Sequence, residues 1–127
     1  MASPKGSEVQ RFTELKVWQR SHSLTLDIYR LTAGYPPEER FGLVSQLRRA
    51  AVSVGANLAE GAKRRSSADY ARVLNIAEGS LAELESLLML GRFLDEKHAA
   101  RLLTEADEIA RMLSSLRKRV AQSTLDS

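Results

Sequence analysis

Apolar residues recur at three- and four-residue intervals through most of this chain, and that period predicts four helices. The clearest register lies in LVSQLRRAAVSVGANLAEG, Leu43 to Gly61. Leu43, Leu47, Ala50, Ala51, Val54 and Leu58 fall within an arc of roughly 100°, the width of a core stripe. The far side carries Val52, Ala56 and Ala59, with Gly55 at its edge, where a solvated face would carry Lys, Glu or Gln. Helix propensity alone would account for alanine there but not for valine or glycine, which are poorer helix formers. This side therefore reads as a surface that another backbone approaches.

A first helix is expected over Glu14 to Ala33, with Thr13 as its cap and Gly34, Pro36 and Pro37 ending it. Leu15, Trp18, His22, Thr25, Leu26 and Tyr29 make one face. Val17, Leu24, Ile28 and Leu31 make another, about half a revolution away at ~100° per residue. A helix with two apolar sides needs two partners, and the second set is assigned to an interface between copies. PPEER resembles a helix first turn, and Gly42 marks a bend before the second helix. Gly61 suits the left-handed position that ends helices.

Ser66 and Asp69 match a capping box that opens a third helix, about Ser67 to Leu94. Its core stripe runs from Tyr70 through Leu81 to Gly91, while Met89 and Phe93 fall off that stripe and form a second surplus surface. A fourth helix, near Glu96 to Gln122, keeps one clean stripe from Ala99 to Val120, with Arg101, Glu105, Glu108, Arg111 and Lys118 opposite. Residues 1–11 lack a period and read as a disordered tail, and 123–127 as a frayed end. Residues 12–122 then form one all-α domain, an antiparallel up-down-up-down four-helix bundle.

Composition narrows the function. At 127 residues the chain holds one core, and 43% hydrophobic with 28% charged residues is the balance of a soluble globular protein. The absence of cysteine removes disulfides, thiolate metal sites and a cysteine nucleophile together, and fits a reducing compartment. MASPKGSEVQ has no apolar run, and no stretch approaches the ~18 residues of a membrane span. A cytoplasmic protein without a membrane partner is expected.

His22 and His98 are far apart in sequence, and neither stands in a Glu-x-x-His or HExxH pattern. There is no glycine-rich phosphate loop and no G-x-S-x-G. No catalytic residue, metal or cofactor is expected, and the chain reads as a non-enzyme. Three basic clusters, Arg48-Arg49, Lys63-Arg64-Arg65 and Arg117-Lys118-Arg119, could each neutralise phosphates. Tyr70 is the only aromatic residue near a basic run, which argues against sequence-specific readout of single strands. The net charge of +3 permits an anionic partner without demanding one. Charge is also unevenly spread: residues 38–65 are net basic and residues 66–95 net acidic.

The segments FTELKVWQRSHSLTLDIYRLT, PPEERFGLVSQLRRAAVSVGANLAEGAKR and DYARVLNIAEGSLAELESLL resemble a family of four-helix-bundle proteins. These were first noticed as products of intervening sequences in bacterial 23S ribosomal RNA genes. The resemblance spans Phe12 to Leu90, and the combination of LKVWQ, ERFGL, SQLRRAAVSV, NLAEG and GSLAELE is specific. It implies a bundle that assembles into a ring-like homo-pentamer, with no settled activity. A related fold, the accessory protein of diversity-generating retroelements, works with a nucleic-acid enzyme and nucleic acid through a strongly basic surface. The positions that map onto the motifs are Arg48, Arg49, Asn57, Glu60 and Gly61, without a catalytic role.

Overall fold

The structure, a computed structural model, describes residues 11–126, with side chains through Ser123. The expected N-terminal tail, apart from Arg11, lies outside the described residues. Four helices follow in order: α1 (Lys16–Ala33), α2 (Ser45–Gly61), α3 (Ser67–Gly91) and α4 (Glu96–Asp126). No strand occurs among the described residues.

Local chemistry sets the helix ends. A single 3-10 turn, Phe12–Glu14, precedes α1, and extended Leu15 (φ −73°, ψ 124°) separates the two. Thr13 lies in that turn and does not cap α1; instead Gln19 Nε2 donates to its carbonyl at 2.9 Å. Between α1 and α2 the chain makes a 3-10 turn at Pro37–Glu39 and a wide π-type turn at Arg40–Val44. Gly42 inside it has non-helical angles (φ −108°, ψ −105°), so the expected bend is there.

Gly61 does not adopt a left-handed conformation; no described glycine has positive φ. It is the last residue of α2, and its missing side chain matters for space. A Cβ there would stand 3.1 Å from the Tyr70 ring. Ser66 Oγ accepts from the Asp69 amide at 3.1 Å, as the capping box predicts. Asp95 does the same for α4, accepting from the His98 amide at 3.1 Å. α4 runs to Asp126, where fraying was expected from residue 123.

α3 packs against α2 and α4, and α1 against the same two helices, so the four form an antiparallel bundle around one core. Leu47, Leu58, Leu74, Leu84, Leu102 and Ile109 are among its fully enclosed side chains. Each such burial contributes about 1.5–3 kcal/mol.

α1 corrects the sequence reading. Val17, Leu24 and Ile28, assigned to an interface between copies, are at most 5% exposed and belong to the subunit's own core. Leu31 is half-buried and packs against that core. The inward stripe is Val17-Ser21-Leu24-Ile28-Thr32, with both polar members buried. Thr32 is tolerated there because its hydroxyl donates to the Ile28 carbonyl one turn back, at 2.7 Å. Two small polar residues thus disguised the real core stripe. The Trp18, His22, Leu26 and Tyr29 side, which carries the larger rings, turns outward.

Candidate self-association and polyanion surfaces

The outward side of α1 and the small-residue side of α2 meet in an apolar groove. Trp18, His22 and Thr25 line one wall, and Val52, Gly55, Ala56 and Ala59 the other. The Thr25 hydroxyl lies 3.2 Å from the Ala51 carbonyl, which ties the two helices at mid-groove. Trp18 stacks on His22 with centroids 4.8 Å apart, and Phe12 meets Trp18 edge-on at 5.2 Å. At the other end Arg48 joins the helices: Nε donates to Thr32 Oγ1 at 2.9 Å, and the guanidinium lies 4.5 Å over the Tyr29 ring. Val52 is 47% exposed in this groove.

A second apolar surface lies on the outside of α3. Met89, Leu90 and Phe93 project there, and Phe93 is 89% exposed, as is Phe41 in the turn before α2. Toward the helix N-terminus the same outer side carries exposed Gly79, Ala82 and Ser86. A Cβ placed on Gly79 would meet nothing within 4 Å. Large exposed apolar side chains occur singly on most proteins, but contiguous ones mark surfaces that bind. Of the nine positions assigned to an interface, Val52, Ala56, Met89 and Phe93 are exposed, and Ala59 is half-buried at the groove wall.

The basic clusters divide. The antiparallel topology brings the α2–α3 connector, with Lys63, Arg64 and Arg65, to the same end as the last turns of α4, with Arg117, Lys118 and Arg119. Lys16 of α1 lines a cleft with Arg119. Arg48 and Arg49 stand nearer the opposite end, at the start of α2. Several of these cations already have partners: Arg117 pairs with half-buried Glu78, and Arg64 reaches Glu60 (3.3 Å) and Asp69 (3.4 Å). Lys63, Arg65 and Lys118 have no ion pair among the described residues. Of the motif positions, Asn57 Nδ2 donates back to the Ser53 carbonyl at 2.9 Å, and Glu60 pairs with Arg64, so both act at the end of α2.

The sequence reading missed one feature, the clamp between α1 and α4. Arg20 Nη2 donates to Glu108 (2.6 Å) and Glu105 (3.1 Å), and those bonds, Glu108 first, push its pKa above the ordinary arginine value. The i, i+3 spacing of the two glutamates was visible, but their partner lies 85 residues away. Among the described residues no group of three or more His, Cys, Asp or Glu could hold a metal ion. No described helix is long and apolar enough to cross a membrane.

Comparison with known proteins gives a consistent picture. Residues 13–115 match the model of the 23S rRNA-intervening sequence protein family. No curated protein matches the chain. Among solved structures, the chain is similar to a protein of unknown function from the S23 ribosomal protein family of Bacteroides thetaiotaomicron. The two are 26% identical, with a TM-score of 0.71, over 80% of this chain and 98% of that one.

Proposed function

The chain belongs to the 23S rRNA-intervening sequence protein family, and on that premise we propose that it is a non-enzymatic homo-oligomeric scaffold of the cytoplasm. The observation that supports this reading is the pair of uncovered apolar surfaces, the α1/α2 groove and the outer side of α3. A lone copy leaves both in water, and association removes them at about 25 cal/mol per Å² of apolar area. The family resemblance supplies the subunit number, five. Sedimentation or light scattering at micromolar concentration tests it. The expected mass is five times 14.1 kDa, and a clean 14.1 kDa monomer overturns the reading.

A second reading, a nucleic-acid-binding accessory protein, is favoured by two basic clusters that lie toward the same end of the bundle. Repeated around a ring, that end becomes a cationic rim able to hold a phosphate backbone and release its counterions. Gel retardation with RNA and DNA across salt concentrations tests it. Binding that weakens steeply with salt supports the role, and no shift at low salt removes it.

A further inference from the structure

We propose that the cleft between the end of α1 and the turn before α2 binds a small phosphate monoester, with Arg48 and Arg40 holding its phosphate. This site depends on neither function proposed above. The cleft has a volume of about 340 Å³, room for a ligand of small-molecule size. Pro36, Pro37, Ala33 and Val44 give it apolar walls. Arg48 and Arg40 are the only charged residues that line it among those described.

Arg48 is fixed in place by the protein itself. Nε donates to Thr32 Oγ1 at 2.9 Å, Nη2 donates to the Tyr29 carbonyl at 3.4 Å, and the guanidinium lies 4.5 Å over the Tyr29 ring. Thr32 is 3% exposed, and its hydroxyl is in turn anchored on the Ile28 carbonyl at 2.7 Å. These contacts complement the negative end of α1 and use two of the three guanidinium nitrogens. Nη1 has no partner, and no carboxylate pairs with Arg48, among the described residues. Arg40 has no ion pair among them either; its guanidinium lies 5.7 Å over the Phe41 ring. Glu38 and Glu39 share its turn, but neither lines this cleft, and Glu39 lines a separate one with Leu43 and Gln46.

Two cations without acids, set beside apolar walls, suit a doubly charged oxyanion on a flat or aliphatic body. Guanidinium forks match phosphate oxygens in pairs, and a pre-set fork gives up little freedom on binding. A nucleic-acid backbone offers one charge per phosphate, whereas a monoester carries close to two.

Isothermal titration of the full-length protein with phenyl phosphate tests the site. One site per chain is expected. Inorganic phosphate should bind more weakly because it leaves the apolar walls uncovered, and benzoate because it carries a single charge. Arg40→Gln, at an exposed position, should lower the affinity by at least about tenfold. Arg48→Lys keeps the charge but loses the fork, and should do the same. Arg49→Gln removes an equal charge from the next residue, which is exposed and outside the cleft, and should change the affinity less than about twofold. No binding at millimolar phenyl phosphate overturns the proposal. A loss in Arg49→Gln equal to that in Arg40→Gln also overturns it, since the attraction then belongs to net charge. A short oligonucleotide without terminal phosphates that displaces phenyl phosphate at equal phosphate concentration assigns the cleft to a nucleic-acid backbone instead, and overturns the monoester.

Discussion

α3 and α4 lie side by side, and their inner halves are alike. Leu81, Leu84 and Leu88 on α3, and Leu102, Ile109 and Leu113 on α4, are all essentially inaccessible to water. Their outer halves are unlike. α4 turns Arg101, Asp107, Arg111 and Lys118 to solvent, as a helix with one partner face does. It knits some of them together, with Arg111 donating to Asp107 at 2.5 Å. α3 turns out Gly79, Ala82, Ser86, Met89 and Leu90, and the turn after it exposes Phe93. Equal inner stripes mean that the core places the same demand on both helices. The outer difference therefore answers to something other than the fold of one subunit.

The largest test of that parity lies inside. Leu84→Ala and Ile109→Ala each empty a fully buried site, and each should cost about 2–5 kcal/mol in chemical denaturation. A loss confined to one helix would break the parity of the inner faces.

Glycine sharpens the contrast within α3. A Cβ on Gly91 would stand 2.6 Å from the Tyr35 hydroxyl. That hydroxyl is enclosed without a hydrogen-bond partner among the described residues, and burial, then Asp95 and Glu39, push its pKa up. Gly91→Ala should therefore lower stability by about 1–3 kcal/mol through overpacking. Gly79→Ala, on the open outer side, should raise the stability of the single subunit by about 0.5–1 kcal/mol, because alanine has less chain freedom to lose. Thermal melts of the two variants should move in opposite directions. Shifts of the same sign would remove the distinction between the two sides.

The smallest effect is at the seam between α3 and α4. The folded pKa of Glu85 is raised by burial and by Asp107, so between its unfolded and folded pKa the native state holds the extra proton. Stability therefore falls as pH rises through that window and stays lower above it. Glu85→Gln should melt above its parent near neutral pH, and the advantage should vanish below the usual carboxylate range. A pH-independent difference would assign the gain to packing instead.

Much of this was legible before any fold was built. Four helices, the Gly42 bend, the Ser66 cap and the inner stripes of α2, α3 and α4 follow from period, turn residues and capping chemistry, which act within a few residues of one another. The outward position of Met89 and Phe93 was legible for the same reason.

The orientation of α1 was decided only by the tertiary structure. Its two apolar sides carry comparable hydrophobic content, so local pattern cannot rank them. Fit against α2 and α4 can. The slimmer side, with Ser21 and Thr32 among its members, enters the core, and the bulkier side with Trp18 and Tyr29 is left outside beside the alanines of α2. The placing of Lys63-Arg65 and Arg117-Arg119 toward the same end of the bundle, and the reach of Arg20 to Glu105 and Glu108, are likewise consequences of antiparallel packing. Period fixes which residues share a side of a helix, and only the neighbouring helices determine where that side points.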